Sequence, residues 1–367
     1  MIVIKSTNIA DFVNQCKEKK LYCFGCGKQS EKFLKEYEYF HIEEYLVNFI
    51  DNDIQKAGQV RIFNSSNVPV IHYTSFIKQE LKNSIVLISS SYFTEIIRQM
   101  DNESVLDGLE CYVDFLLMNN NFYQDFQMTL GERNIIPKKI HYCWFGGAPM
   151  PERFLRYIES WKKYCPSYEI IRWDESNYDV SKNQYMKQAY DCKKWGFVPD
   201  YARVDIIYQY GGVYLDTDVE IIKPLDDLLY DEMYCGFESV SHINFGHGFG
   251  SVKGHKILEK VIEDYEQRAF VLKNGELDLT PSPALQSEVL RKEGFCLNGL
   301  YQKKKKVVVY PKDVMCPQDY FLINDVISDR TYSIHHYAAT WCDEKMQNDR
   351  SRIVNGLDKI KGRIITK

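Results

Sequence analysis

Two carboxylates two residues apart, Asp216 and Asp218, stand at the end of the apolar run Val213-Tyr214-Leu215. On an extended chain, residues i and i+2 point to the same side, so both can face one cation. Hard oxygen ligands of this kind suit Mg2+ or Mn2+ rather than zinc. A divalent ion held at a strand end can bridge a diphosphate and neutralise the charge that grows as a phosphate leaves. Upstream, Asp200 and Arg203 lie three apart in a helical pattern and share a face. That spacing serves an ordinary helix ion pair, and equally a pair that hydrogen-bonds the hydroxyls and phosphate oxygens of a ligand. A D-x-D triplet in isolation is as readily a solvated strand end, so its surroundings decide.

The elements that must position these groups are written in one stretch, FVPDYARVDIIYQYGGVYLDTDVEII, Phe197 to Ile222. Pro199 falls in the first helical turn, where a missing N–H costs nothing. Gly211-Gly212 closes the helix, and the strand Val213–Asp216 then delivers the carboxylates. Further strands are expected at 139–144, 168–173, 233–237, 307–310 and 332–335, and helices at 182–195 and 199–210. The Asn- and Gln-rich segment 118–136, ending at Pro137, marks a domain boundary, giving 1–130 and 131–367.

The first part alternates strands (20–24, 46–50, 84–88) with helices (29–37, 92–100), which implies a parallel, Rossmann-like α/β sheet. Gly25-Cys26-Gly27 after the first of these strands has the start of a dinucleotide fingerprint, with Asp51 as a candidate ribose partner; Ser30 stands where its third glycine belongs. A bound nucleotide and a packing domain both fit this pattern.

Composition narrows the classes. The 367 residues are 45% hydrophobic and 26% charged with a net charge of -5, so no basic excess exists to neutralise nucleic acid. The cluster Lys303 to Lys306 reads as a solvated hairpin tip. Eleven scattered cysteines, a polar start and no long apolar stretch place the chain in the reducing cytoplasm, with its thiols as small buried hydrophobes. Cys23 and Cys26 form a C-x-x-C without a second pair at metal spacing, which argues against structural zinc. Gly246, Gly248 and Gly250 make a segment suited to close backbone approach, and the absence of Gly-Lys-Ser/Thr excludes a P-loop.

From Ile136 to about Met346 the chain resembles glycosyltransferase family 32, the DXD-containing sugar transferases, with a more distant likeness to the large glucosylating bacterial toxins. Four blocks carry it in order: IPKKIHYCWFGG with ESWKKYCPSYEIIRW; FVPDYARVDIIYQYGGVYLDTDVE; TPSPALQ at Thr280–Gln286; and SIHHYAATW at Ser333–Trp341. The resemblance implies a GT-A-like nucleotide-sugar transferase fold and retention of anomeric configuration. It implies Asp200, Arg203, Asp216 and Asp218 as the catalytic group, with Mn2+ or Mg2+ on Asp216 and Asp218. Donor contacts are implied at Trp144, Gly146, Tyr201, Gly212, Asn244 and Trp341, with Trp144 stacking on the base, although a core role for that Trp is also open. His336 falls where such folds place a further metal ligand, while toxin-like relatives carry a carboxylate there. His335, on the opposite face of an extended segment, is expected to be structural. The implied partners are a UDP- or GDP-sugar donor, UDP favoured, and a glycan or lipid-linked acceptor of capsule or lipopolysaccharide synthesis. A lipid acceptor would bring a cytoplasmic enzyme to the inner face of the membrane as a peripheral protein. A toxin-like transferase acting on protein, a sugar-nucleotide oxidoreductase or epimerase using the first domain, and a non-catalytic binding protein are the rival readings.

Overall fold

The computed structural model describes residues 1–64, 66–119, 125–128, 130–318, 321, 327–338 and 344–366. The chain divides into two compact units, Met1–Phe122 with Asp319–Asn324 and Asp343–Lys367, and Tyr123–Gln318 with Asp325–Cys342. Both are α/β, as the alternation of strands and helices requires.

The first unit holds β1 (Val3–Ser6), β2 (Lys20–Phe24), β3 (Leu46–Asp51), β4 (Val60–Phe63), β5 (Ser66–His72), β6 (Ser84–Ile88) and β7 (Glu110–Val113). Its eight-stranded sheet runs from the last strand, Ile364–Thr366, through β1, β7, β6, β2, β3 and β5 to β4. All neighbours are parallel except β4, which forms an antiparallel hairpin with β5. The C-terminal segment, expected with the second domain, belongs here. Ile364–Thr366 pairs with β1, and Ile353, Leu357 and Ile360 of helix Glu344–Ile360 join the apolar cluster of Phe93, Val113 and Phe115. A strand this short has no period of its own to read, and only the long-range pairing assigns it.

At the carboxyl edge of β2 the first glycine of the Gly-x-Gly segment packs against the loop after β6, while a Cβ on Gly27 would meet nothing within 4 Å. A Cβ on Gly25 (φ 108°) would stand 2.4 Å from the Ser89 carbonyl oxygen, so glycine is needed for the loops to meet. Asp51 accepts from the Cys26 thiol and from Lys56 Nζ, both at 3.0 Å. Cys23 and Cys26 are buried and free, and among the described residues no three His, Cys, Asp or Glu side chains are grouped to hold a metal.

The second unit contains β8 (Lys139–Cys143), β9 (Glu169–Trp173), β10 (Gly212–Tyr214), β11 (Val219–Ile221), β12 (Met233–Gly236), β13 (Phe249–Ser251), β14 (Gln302–Lys304), β15 (Val307–Tyr310) and β16 (Ser333–His335). Its seven-stranded sheet has the order β14-β15-β12-β13-β10-β8-β9, and β11 pairs separately with β16. β9, β8 and β10 are parallel, so the chain leaves β8 at Trp144 and β10 at Asp216 along one edge. The turn Gly211-Gly212 makes this possible: Gly212 has φ 112°, and a Cβ there would lie 2.9 Å from the Lys139 carbonyl oxygen. Helix Glu152–Tyr164 anchors β11, for Trp161 Nε1 donates to Val219 O at 2.8 Å and Ser160 Oγ accepts from Ile221 N at 2.9 Å. The expected helix 182–195 is shorter, Gln184–Asp191. Asn183 caps its start by accepting from Met186 N, and Lys193 (φ 56°) lies in the left-handed region beyond its end. Lys303–Lys306 are exposed at the tip of the β14–β15 hairpin, as expected, and Lys303 and Lys306 pair with Asp231 and Glu232, which immediately precede β12. Among the described residues no helix is long and apolar enough to cross a membrane.

Candidate active site

Helix Val198–Tyr210 is buried nearly all round, which is why Asp200 and Arg203 end inside the unit and not on its surface. Arg203 Nη2 lies 3.0 Å from Asp200 Oδ1 and 3.4 Å from Asp216 Oδ1. Its guanidinium also sits 5.4 Å from the centre of the Tyr214 ring. A buried charge pair contributes little net stability against apolar packing of the same volume, so its presence at the end of β10 calls for another purpose. Burial, reinforced by Asp216, pushes the Asp200 carboxyl up to about 6 against the pull of Arg203.

Asp216 is held by three neighbours. Tyr214 Oη donates to its Oδ1 at 3.0 Å, Arg203 faces the same oxygen, and its backbone N–H donates to Gly246 O at 2.9 Å. A Cβ on Gly246 would lie 2.3 Å from Asp216 Oδ2 and 3.0 Å from Arg203 Nη1, so the glycine-rich segment approaches as only glycine allows. Asn244 Oδ1 accepts from Gly246 N at 2.6 Å, and its Nδ2 donates to Glu238 Oε2 at 2.7 Å. Asn244 is thereby gathered to the pair.

Asp218 faces His335, not His336. β16 pairs antiparallel with β11 with Val219 opposite His335, which brings His335 Nε2 to 3.4 Å from Asp218 Oδ1. Burial alone would raise the Asp218 carboxyl; His335 and the Ala338 N–H, donating at 2.9 Å, outweigh it and bring Asp218 down to about 2. His336 meets Asp218 through its backbone, its N–H donating to Asp218 O at 3.0 Å, while its ring Nε2 meets Glu220 Oε2 at 2.9 Å and the ring stacks on Tyr157, centroids 4.4 Å apart. β16 ends at His335 and Tyr337 turns with φ 45°, so His336 leaves the strand before its ring could face Asp218.

The other expected donor contacts scatter. Trp144 is half-buried, its indole N–H donating to Ala148 O at 2.7 Å and its ring edge-on to Phe154. Gly146 donates to Glu175 Oε1 at 2.6 Å, and its bare Cα faces Trp195, which a Cβ would meet at 2.9 Å. Tyr201 is not brought to the carboxylates; it lies in the apolar core against Tyr265. Gly212 serves the approach of β10 to β8. Trp341 lies outside the described residues. Sequence reasoning missed Tyr214 and Glu238; the one signal for Tyr214 is its place two residues before Asp216, at the end of β10.

A family model described as the glycosyltransferase sugar-binding region containing DXD motif matches residues 151–234. Inositol phosphoceramide mannosyltransferase 3 of Schizosaccharomyces pombe is 33% identical over 143 residues, 37% of this chain and 38% of that protein. The initiation-specific alpha-1,6-mannosyltransferase of Candida albicans is 29% identical over 112 residues, 28% of this chain and 29% of that protein. Among solved structures, PaToxG glycosyltransferase aligns with a TM-score of 0.35 and 16% identity, over 43% of this chain and 69% of that one. The chain thus spans well under half the length of these curated relatives. The matched residues 151–234 hold Asp200, Arg203, Asp216 and Asp218, so the part of the chain similar to a glycosyltransferase sugar-binding region containing the DXD motif is the part that builds this cluster.

Proposed function

We propose that the chain is a retaining, metal-dependent glycosyltransferase of the GT-A kind, moving a hexose from a nucleoside-diphosphate sugar to a glycan or lipid-linked acceptor in surface polysaccharide synthesis. One observation carries it: Arg203 lies between Asp200 and Asp216 at the end of β10, next to an Asp218 kept ionised beside His335. The named relatives are mannosyltransferases, so mannosyl donors stand beside UDP-hexoses as the first to test. One of them acts, by its name, on inositol phosphoceramide, which supports the lipid-linked class of acceptor.

The residues present fit Mg2+ or Mn2+. Two hard carboxylates stand two residues apart in the turn beyond β10, and no third His, Cys, Asp or Glu among the described residues completes a protein cage. Such cations are commonly held by one or two carboxylates, with waters and substrate phosphates filling the shell. Asp216 and Asp218 would hold the ion, which when bound would neutralise charge on the departing diphosphate. Tyr214 and Gly246 fix Asp216 before any ligand arrives, and this preorganisation is the part of catalysis the protein itself supplies. The Arg203 guanidinium, held by Asp200 and Asp216, brings a fixed positive charge to this cluster. Asp200, oriented by Arg203, accepts from a sugar hydroxyl. No side-chain nucleophile with an adjacent base lies among these groups, so displacement on the front face of the sugar is the working mechanism.

The test is donor hydrolysis and transfer across UDP- and GDP-hexoses with Mn2+, with and without EDTA. Turnover that needs the metal and falls at least about a hundredfold in Asp218→Ala, the scale of losing a principal charge stabiliser, is expected. Undiminished turnover in EDTA would remove the metal from the reading, and no hydrolysis of any donor would remove the activity.

A further inference from the structure

The segment Ile243–Gly246, which ends against Asp216, is held from one side by a helix. Its amides alternate between two kinds of partner. Asn244 N donates to Gly236 O at 3.1 Å, and Gly246 N to Asn244 Oδ1 at 2.6 Å. Ile243 N donates instead to Ser287 Oγ at 2.7 Å, and Phe245 N to Gln286 Oε1 at 2.8 Å. Both of these acceptors belong to helix Ser282–Lys292. A buried backbone N–H must find a partner, and at Ile243 and Phe245 that partner is a pair of consecutive polar side chains.

Gln286 and Ser287 are buried, Gln286 completely. On the same helix Leu285, Val289 and Leu290 enter the apolar core, so two polar groups stand among positions otherwise given to packing. Such groups are tolerated where they are hydrogen-bonded, and here the bonds go to the segment beside the carboxylates. Ser282, one turn before Gln286 and on the same helix face, hydrogen-bonds the Asp200 carboxylate. At the far end of the segment, Gly246 O accepts the Asp216 N–H at 2.9 Å, and the bare Cα of Gly246 leaves room for Asp216 Oδ2. One helix therefore reaches both carboxylates that flank Arg203, Asp200 directly and Asp216 by way of Phe245 and Gly246.

We propose that Gln286 is a positioning residue, seconded by Ser287: holding Phe245 and Ile243, it fixes Gly246 against Asp216 and so sets the direction in which that carboxylate meets a cation. Being completely buried, it acts along this path and not by contact with a ligand. Contacts that orient metal ligands typically carry 10- to 100-fold in metal affinity or activity, and a shift of about 1 Å at a reacting group can cost a hundredfold. The consequence for activity rests on the transferase reading; the hold on the segment does not.

Donor hydrolysis is followed with UDP- and GDP-hexoses over a range of Mn2+ concentrations for the unaltered chain, Gln286→Met and Ser287→Ala. Thermal unfolding and amide hydrogen exchange over residues 243–246 are measured alongside. Gln286→Met keeps the length of the side chain and removes the acceptor. Exchange over residues 243–246 is expected to quicken, and the Mn2+ concentration for half-maximal hydrolysis to rise about tenfold. Hydrolysis at saturating donor and Mn2+ is expected to fall by up to about a hundredfold. Ser287→Ala, which releases the Ile243 N–H and leaves almost no cavity, is expected to show the same shifts at smaller size, and it carries the test if Gln286→Met fails to fold. A folded variant that melts earlier yet keeps the turnover and Mn2+ requirement of the unaltered chain would show that the helix only supports the fold, and overturns the proposal. If the unaltered chain hydrolyses no donor, the transferase reading fails instead, and exchange alone decides: unchanged protection over residues 243–246 in the variants then overturns the hold by Gln286.

Discussion

Asp200 and Asp218 show how the same side chain is set to different tasks by what surrounds it. Asp218, next to His335 and the Ala338 N–H, is brought down to about 2, whereas Asp200, buried on its helix, is raised to about 6. The first stays ionised in any ordinary buffer and suits a cation; the second is poised to exchange hydrogen bonds with a neutral hydroxyl. The neighbouring histidines divide in the same way. His335→Ala strips Asp218 of its facing partner and is expected to lower donor hydrolysis by roughly ten- to a hundredfold, the range for groups that orient metal ligands. His336→Ala removes a stack on Tyr157 and a bond to Glu220, and is expected to change hydrolysis less than about threefold, because a partly exposed pair of this kind contributes little. Donor hydrolysis by the two variants in Mn2+ is the measurement, and a larger defect in His336→Ala would return the ligand role to that residue.

The elements explain which of these features could be read from the chain. The Asp200/Arg203 pair was legible because the helical period of three to four set its direction, whereas the D-x-D was legible by residue type and spacing alone. The expected strand to Asp216 stops at Tyr214, and Thr217–Asp218 form a turn closed by Val219 N–H donating to Asp216 O at 3.1 Å. The choice between His335 and His336 was not legible, since it depends on the register of β16 against β11, more than a hundred residues apart, and on the left-handed turn at Tyr337. β13, a strand of Phe-Gly-Ser, and the hairpin β4–β5 escaped for the same reason: too short or too exposed to carry a period. The glycine-rich segment was expected to allow close approach, and Gly246 shows against what. Gly246→Ala would press a Cβ to 2.3 Å from Asp216 Oδ2, so the carboxylate must turn. Hydrolysis is expected to fall on the order of a hundredfold, the effect of misplacing a group by about 1 Å, with circular dichroism unchanged; near-normal turnover would show that Asp216 need not be held. In the first unit, Asp114 at the end of β7 joins three elements, accepting from Gln29 Nε2, Ser89 Oγ and Phe115 N, each at 2.8 Å. Burial pushes its pKa up to about 7 from the ordinary 3.8, despite those donors. A folded pKa above the unfolded one gives stability that is complete below about pH 4 and is lost as pH rises through about 7. The loss amounts to up to about 4 kcal/mol. Urea unfolding of Asp114→Asn at pH 5 and pH 8 should therefore show a smaller fall in stability than the unaltered chain; an equal fall would mean that another group carries it.

At the scale of the whole molecule, the path of the chain sets a condition on separating the two units. All the site residues described above lie within Tyr123–Gln318 and Asp325–Cys342, so the first unit is expected to be dispensable for donor hydrolysis. Removing residues 1–122 alone, however, strands the C-terminal segment. Ile364–Thr366 would lose β1, its partner in the sheet, and helix Glu344–Ile360 would expose Ile353, Leu357 and Ile360, which now pack with Phe93 and Val113. Burying three such side chains is worth roughly 1.5–3 kcal/mol each, and an unpartnered strand edge beside an apolar helix face invites association. Phe321 belongs with that unit too, its ring 5.4 Å from Phe115. A chain of residues 125–342 carrying Phe321→Ser is therefore expected to be monomeric and to hydrolyse donor within a few-fold of the intact protein. A chain of residues 125–367 is expected to aggregate. Size-exclusion chromatography and donor hydrolysis with Mn2+ compare the two. If the 125–342 chain folds yet hydrolyses no donor that the intact chain does, the first unit contributes to the chemistry itself. If 125–367 is as soluble and monomeric as the intact chain, the C-terminal helix does not depend on the first unit for its cover.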